Sequence, residues 1–418
     1  MQTVAAFPAD IIRLNNGLTV IYQHIPATPV AVVDVWVRAG AVVEQAPCIG
    51  MAHFLEHMIF KGTNTLGPGV FDQIIENRGG MTNAATSHDY AHFFITTAAQ
   101  DLPETLPALA ELLLNASIPD DEFNRERDVV LEEIRSSYDN PDWLAFQALM
   151  EVVYQEHPYG RSVLGTEVHL MQHSPEQMRQ FHAHHYQPEN MTVVIVGGIE
   201  RDVALPLVSE AFHTFPTSQL TPPKRSFAEP PMIEVRRRQM YLPRLEQARL
   251  MMGWTGPGVD QLQEACGLDL LSVLLAEGRT SRLVRELREE KGLVQGISCN
   301  FSLQRESSLF TISAWLDSHH ISDVENIICE HLCHLQQTSI SNAEIARAKR
   351  LLCNDYAFST ETPIQLAGLY GYYHTIAEAE KAVTYPQRIQ SFQPEYLRCL
   401  ASQYLSPNYY AVTTLEPL

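Results

Sequence analysis

The sequence is poor in basic residues and in long apolar runs. Its 29 lysines and arginines are outnumbered by 49 aspartates and glutamates, which gives a formal net charge of −20 at pH 7. This balance argues against nucleic acid or an anionic membrane as a partner, because both are bound through basic surfaces. The most strongly apolar stretch, MTVVIVGGI at 191–199, is too short to span a bilayer, which takes about 20 residues.

The sequence also shows neither a C-x-x-C spacing nor the pattern of a signal peptide. The seven cysteines form no C-x-x-C pair. Their odd number favours buried free thiols in a reducing compartment over disulfides or a cysteine metal site. The first twenty residues have neither a basic start nor a long apolar core, so no signal peptide is predicted. We therefore expect a cytoplasmic location.

Strand-like and helix-like segments alternate along the chain, which predicts an α/β or α+β fold. Segments rich in β-branched residues lie at 17–24, 30–40 and 190–199. Segments with helical periodicity lie at 102–117 and 123–138. A further helix is predicted to begin with Ser174 as N-cap, Pro175 in the first turn and Gln177 closing a capping box.

A domain boundary is indicated near the middle of the chain. The 418 residues are too many for one compact domain, and a hydrophobic content of 45% can support two sizeable cores. The stretch PTSQLTPPKRSFAEPP at 216–231 carries five prolines, which exclude a helix and are typical of a semi-rigid linker. The prediction is an N-terminal domain at 1–215 and a C-terminal domain at 232–418.

The two halves of the sequence carry matching residues at a constant offset. Two pairs repeat after 218 residues: Trp36 and Gly40 as Trp254 and Gly258, and Tyr186 and Asn190 as Tyr404 and Asn408. Two matches at one offset, at opposite ends of each half, indicate an internal duplication.

The stretch HFLEHMIFKGT at 53–63 places three titratable residues in an apolar run. In a helix, His53 and His57 lie one turn apart on one face, which suits two imidazoles on one metal ion. Glu56 lies beside that face, where it can act as general base towards a zinc-bound water. At the 218-residue offset the second half has Leu271, Leu274 and Leu275 instead, so the polar set is not required by the fold.

A catalytic zinc site needs a third protein ligand. Glu126 and Glu133 are seven residues apart and share one helix face with Val129 and Val130, whereas Glu132 points about 100° away. A solvated helix face is the ordinary explanation for such glutamates. Two carboxylates on an apolar stripe are less typical of that explanation, so both remain candidates.

These stretches together resemble the pitrilysin-like zinc metallopeptidases of family M16, the inverzincins, over nearly the whole chain. The similar stretches are HFLEHMIFKGT, GGMTNAATSHDYAHFF, ERDVVLEEI, HPYGRSVLGT and GRTSRLVRELREEKGL. The length resembles the short bacterial, processing-peptidase-like members, which pair as dimers. The resemblance implies an α+β fold of two tandem homologous α/β-roll domains, each a mixed β-sheet flanked by helices, with two chains enclosing a chamber.

The resemblance also implies roles for individual residues. His53, His57 and Glu133 resemble the ligands of one Zn²⁺ per chain, Glu56 the general base, and Glu126 a glutamate that supports the site. A family segment that accepts substrate as an added β-strand is matched by Asn83, Ala84, Ala85 and Thr86.

One position departs from the family pattern. Family members contact the substrate backbone with an Arg and a Tyr seven residues apart, and here Arg288 fits the arginine while Gln295 takes the tyrosine position. The resemblance therefore implies a catalytic subunit whose zinc-less homologous partner carries the Arg–Tyr pair. A homodimer that uses Arg288 and Gln295 is the competing arrangement.

The leading hypothesis is a zinc endopeptidase that cleaves peptides or unfolded polypeptide segments. The alternative is a non-catalytic assembly or core subunit related to processing peptidases, and a third hypothesis is a module that binds peptides without turnover. Assembly subunits usually lose a ligand or the base, whereas this sequence retains all five candidate site residues.

Overall fold

The computed structural model describes residues 7–214, 229–243 and 245–418. The described residues form two compact units. The first comprises 7–135, 162–214 and 358–383, and the second comprises 136–161, 229–357 and 384–418. The proline-rich linker predicted at 216–231 lies, up to residue 228, outside the described residues, and the domain boundary stays a prediction.

Strands and helices alternate as predicted. The strands are β1 Asp10–Arg13, β2 Thr19–His24, β3 Val30–Val37, β4 Met81–Thr86, β5 Ala91–Ala98, β6 Met191–Gly197, β7 Arg236–Leu242, β8 Ala248–Pro257, β9 Val294–Ser302, β10 Ser307–Leu316 and β11 Ala411–Pro417. The first eight helices are α1 Met51–Ile59, α2 Val70–Glu76, α3 Leu102–Asn115, α4 Asp120–Tyr138, α5 Pro141–Val153, α6 Glu167–Gln172, α7 Pro175–His185 and α8 Arg201–Ala211. The remaining helices are α9 Leu262–Ala276, α10 Ile321–Gln337, α11 Asn342–Phe358, α12 Pro363–Ile376, α13 Tyr385–Ser391 and α14 Pro394–Tyr404, with a π-helix at Val284–Glu290.

The first unit is built on a six-stranded sheet in the order β1-β2-β6-β3-β5-β4. Strands β2 and β6 are parallel, and every other neighbouring pair is antiparallel. Strand β6 is buried along its whole length, which explains its continuous apolar sequence. Helix α7 begins with the predicted capping box, in which Ser174 and Gln177 each accept the other's backbone N–H.

The second unit repeats this topology on a five-stranded sheet. Its order is β7-β11-β8-β10-β9, again with one parallel pair, β7 and β11, and antiparallel pairs elsewhere. Trp36 lies in β3 and Trp254 in the equivalent β8, as the 218-residue offset predicted. The predicted fold class of two homologous α+β units is confirmed, and the dimer with its chamber stays a prediction.

Each sheet is covered in part by a helix from the other half of the sequence. Helix α12 packs on β3 and β6 of the first unit, and α5 packs on β8 and β11 of the second. In the described residues no helix combines the length and the apolar composition that crossing a membrane requires.

The second unit closes its core with leucines at the positions that correspond to the polar motif. Leu271, Leu274 and Leu275 lie in α9 and are at most 2% exposed. Helix α9 packs against β9 and β10, as α1 packs against the equivalent β4 and β5. This agrees with the prediction that the scaffold does not need His53, Glu56 and His57 to fold.

The contact between α12 and β3 depends on a glycine. A Cβ on Gly371 would lie 2.0 Å from Nε1 of Trp36, whereas a Cβ on Gly368 would meet no atom within 4 Å. Gly371→Ala is expected to lower the free energy of unfolding by about 2 kcal/mol, because overpacking outweighs the gain in helix propensity. Gly368→Ala, on the same helix, is expected to raise it by about 0.5 kcal/mol. Urea denaturation of both variants measures the difference, and equal effects at the two positions would contradict the tight contact.

Candidate metal centre

The apolar face of helix α1 packs into the core of the first unit. Phe54, Leu55, Met58 and Ile59 are each fully buried in the core of the first unit. Because these residues fix which side of the helix faces the core, His53 and His57 are directed together towards α4.

Helices α1 and α4 bring together the three residues that resemble the family's ligands. Glu133 Oε2 lies 3.7 Å from Nε2 of His53 and 3.4 Å from Nε2 of His57. One potential ligand atom from each of the three residues lies within 4.8 Å of the others. The His53 side chain is 9% exposed and the Glu133 side chain 42% exposed.

Glu126 approaches His57 from the opposite side of the imidazole ring. Its Oε1 lies 2.9 Å from Nδ1 of His57, and its Oε2 lies 2.6 Å from Nζ of Lys61. A carboxylate accepts hydrogen bonds, so Nδ1 carries a proton, and Nε2 is the ring nitrogen that can give up its proton to form a ligand bond. Spacing along the sequence could not make this distinction between Glu126 and Glu133.

The expected apolar stripe on α4 is only partly correct. Val130 is fully buried, but Val129 is 52% exposed and does not share the buried face. Glu126 is buried, whereas Glu132 is exposed and pairs with Arg135. The helix therefore turns Glu126 and Glu133 towards α1 and Glu132 towards solvent.

The charges around the two histidines differ. Burial lowers the pKa of His53. Burial also lowers the pKa of His57, but hydrogen bonds with Glu126 and Glu133 outweigh it and raise that pKa to about 9. The hydrogen bond with His57 lowers the pKa of Glu133, which keeps this carboxylate ionised at neutral pH.

Glu56 lies on α1 and contacts the edge strand of the sheet. The Thr86 hydroxyl, at the end of β4, donates a hydrogen bond to Glu56 Oε2 at 2.5 Å. Burial raises the pKa of Glu56, although the Thr86 hydrogen bond and nearby His57 oppose the shift. A carboxylate with a raised pKa that is held by one hydroxyl has a free oxygen with which to accept a proton.

The four residues that resemble the substrate-binding segment, Asn83, Ala84, Ala85 and Thr86, lie on β4. This strand pairs with β5 on one side and forms an edge of the six-stranded sheet on the other. Edge strands present backbone N–H and C=O groups to an incoming chain. The placement agrees with the expected strand position and brings its last residue to Glu56.

Arg288 and Gln295 belong to the second unit. Arg288 lies in the π-helix, where its guanidinium donates to Glu289 at 2.7 and 3.0 Å. Gln295 is exposed on β9. The constellation of the first unit is therefore assembled from α1, α4 and β4, without Arg288.

Two residues near the site were not predicted from the sequence. Lys61 is part of the HFLEHMIFKGT stretch, and its contact with Glu126 gives it a place in the centre. Glu44 lies seven residues before the helix starts and accepts hydrogen bonds from the amides of Gly50 and Ala52. Lys61 could have been recognised as a basic residue one helical turn after His57. No spacing rule indicates Glu44.

The donor set of His53, His57 and Glu133 fits zinc. Two ligand atoms bound tetrahedrally at about 2.0 Å from one ion lie about 3.3 Å apart, close to the separations of 3.4 and 3.7 Å found here. The carboxylate on Nδ1 of His57 also matches the usual second partner of a zinc-bound imidazole. A second set, Asp317, His319 and His320, has no fully buried member and is a weaker candidate.

Family models match both halves of the chain. The model described as insulinase, peptidase family M16, matches residues 19–167, which include α1, β4 and Glu133. The model described as the peptidase M16 inactive domain matches residues 173–352, which include α9 and its leucines.

Relatives and a solved structure agree with these matches. An uncharacterised zinc protease of Mycobacterium leprae is 31% identical over 352 residues, 82% of this chain and 78% of the relative. The zinc protease PqqE of Helicobacter pylori is 28% identical over 412 residues, 98% of this chain and 93% of the relative. The crystal structure of a protease from Helicobacter pylori is similar with a TM-score of 0.92 at 27% identity, covering 98% of this chain and 99% of that one. The chain therefore belongs to peptidase family M16, as its motifs predicted.

Proposed function

We propose that this chain is a zinc-dependent endopeptidase that hydrolyses peptides or unfolded polypeptide segments. The observation that carries the proposal is the convergence of His53, His57 and Glu133 next to a half-buried Glu56 that is held by Thr86. The names of the relatives as zinc proteases support the same activity.

In this proposal, His53, His57 and Glu133 hold the ion through two imidazole nitrogens and one carboxylate oxygen. When bound, zinc lowers the pKa of water and polarises a carbonyl group. Glu126 accepts from Nδ1 of His57 and so fixes the tautomer that presents Nε2. Lys61 binds the other oxygen of Glu126 and holds that carboxylate in place.

Glu56 would carry the proton during hydrolysis. Its carboxylate would accept a proton from the attacking water and return it to the nitrogen of the leaving amine. The Thr86 hydroxyl fixes one oxygen of Glu56 and leaves the other for the proton.

The substrate would bind as an extra strand along β4, at Asn83, Ala84, Ala85 and Thr86. Backbone hydrogen bonds to an edge strand give affinity for extended chains of many sequences. Thr86 ends this strand and contacts Glu56, so a peptide added there would run past the general base. This geometry favours peptides and unfolded segments over folded proteins.

The active form would be a dimer. Arg288 is paired with Glu289, and Gln295 stands where the family pattern has tyrosine. A zinc-less homologous subunit that carries the Arg–Tyr pair would complete the substrate contacts. A homodimer would use Arg288 and Gln295 for the same purpose.

The test is cleavage of a quenched, unstructured peptide by the purified chain, with its zinc content measured alongside. We expect one zinc per chain and turnover that is lost on treatment with a chelator and recovered when zinc is restored. Bound zinc without turnover would indicate that the partner subunit is required, and adding a homologue with the Arg–Tyr pair should then restore activity. A chain that binds no zinc would contradict the proposal and favour the assembly-subunit alternative.

A further inference from the structure

We infer that Glu44 is a positioning residue for the metal centre: together with a contact between Gly50 and Gly165, it fixes the start of α1 and thereby the direction of His53 and His57. The inference rests on the proposed function, because it assigns to Glu44 an effect on the affinity for zinc.

The Glu44 carboxylate binds the first amides of α1. It is 4% exposed, its Oε2 accepts from the Gly50 amide at 2.8 Å, and its Oε1 accepts from the Ala52 amide at 2.7 Å. The first amides of a helix have no partner within the helix. The N-cap of α1 is Gly50, which has no side chain to supply one. Glu44 takes over that task, and its charge agrees with the positive end of the helix dipole.

A backbone contact holds the same end of α1 from another side. Gly50 has a φ of +85°, and a Cβ placed on it would lie 2.8 Å from Cα of Gly165 and from the oxygen of Leu164. Gly165 has a φ of +73° and would clash in return with Gly50. Both glycines are required by conformation and by space. The LGT end of the HPYGRSVLGT stretch thus packs on the start of α1. This stretch has no role in the proposed chemistry.

Glu44 and the contact between Gly50 and Gly165 act at the end of α1 that lies next to His53, so they influence the orientation of the candidate ligands. Helix α1 has nine residues, and the Ala52 amide that Glu44 binds precedes His53 directly. A small rotation of so short a helix moves both imidazoles relative to Glu133, which lies on α4. Metal ligands bind tightly only when their orientation is fixed before the ion arrives.

The second unit offers a control in which a buried carboxylate also binds backbone amides. Glu229 accepts from the amides of Gln155, Glu156 and His157 and in addition lies 3.5 Å from Nη1 of Arg236, so its replacement should cost the fold at least as much stability. A glutamine at either position keeps the shape and loses one acceptor oxygen and the charge. Both variants should lower the stability of the fold, but only the change at Glu44 should alter the metal centre.

The experiment compares Glu44→Gln with Glu229→Gln by zinc titration against a chromophoric chelator, at a temperature well below the melting temperature of each variant. Glu44→Gln is expected to weaken zinc binding about ten-fold, as loss of an orienting partner does. Glu229→Gln is expected to lower the melting temperature and leave zinc affinity unchanged.

Equal zinc affinity in Glu44→Gln and the unsubstituted chain would overturn the inference, and so would the same loss of affinity in both variants. If Glu44→Gln does not fold, Glu44→Asp and Glu229→Asp give the same comparison, because each keeps the charge and shortens the reach. Failure of the unsubstituted chain to bind zinc would instead overturn the proposed function, and the inference with it.

Discussion

Replacing Glu56 by Gln is expected to stop peptide hydrolysis while leaving the zinc content of the chain unchanged. Glutamine keeps the size of the side chain but cannot accept a proton at neutral pH. Loss of a general base typically lowers kcat by about a hundred- to ten-thousand-fold. Glu56 is hydrogen-bonded to Thr86 and lies outside the set of His53, His57 and Glu133, so the ion should stay bound.

The measurement is kcat on the quenched peptide, with zinc quantified in the same preparation. A chelator-treated sample of the unsubstituted chain, before and after zinc is restored, separates loss of the base from loss of the metal. A Glu56→Gln variant that retains much of its turnover would show that another group takes the proton. A variant that loses zinc would show that Glu56 is a ligand, and the assignment of roles in the proposed mechanism would have to change.

The sequence predicted the parts of the centre that depend on local spacing. Two histidines four residues apart, and two glutamates seven apart, keep their relation wherever the helices lie, because it follows from 3.6 residues per turn. The same holds for the capping box at Ser174, in which all partners lie within one turn. For Glu126 and Glu133, the spacing predicted that they share a helix face, but not which of them lies beside Nε2 of the two histidines.

Features that depend on tertiary packing could not be predicted. Glu44 binds amides six and eight residues away through an irregular segment, which no periodicity encodes. Val129 is exposed although the spacing placed it on the face of Glu126 and Glu133. The buried face of α4 is narrower than the face that the spacing of Val129 and Val130 predicted. The sequence also did not predict that α5 and α12 each cover the sheet of the other half of the sequence, since an apolar helix face does not specify which sheet it covers.

Replacing Glu133 by Gln is expected to weaken zinc binding by more than about a hundred-fold, because loss of an outer partner alone costs 10- to 100-fold and Glu133 is a direct ligand in the proposal. A neutral amide oxygen replaces the anionic oxygen that lies 3.4 Å from His57 Nε2 and 3.7 Å from His53 Nε2. If zinc binds only the folded chain, as the proposal requires, an ion present at 100 times its Kd should stabilise that chain by about 2.7 kcal/mol. The variant should lose most of this stabilisation, which urea denaturation with and without zinc measures.

Its matched control is the neighbouring residue on the same helix. Glu132→Gln changes the same chemical group one position earlier, where the side chain is exposed and pairs with Arg135 at 3.3 Å. An exposed ion pair contributes about 0–1 kcal/mol, so zinc affinity, turnover and stabilisation by zinc should all match the unsubstituted chain. If Glu133→Gln behaved like Glu132→Gln, Glu133 would not be a ligand. Glu126 would then be the other carboxylate of α4 that contacts His57, and its hydrogen bond to Nδ1 of His57 would have to break for it to bind the ion. A pair of variants one residue apart therefore separates a ligand from a solvated helix face, the two alternatives that the sequence left open.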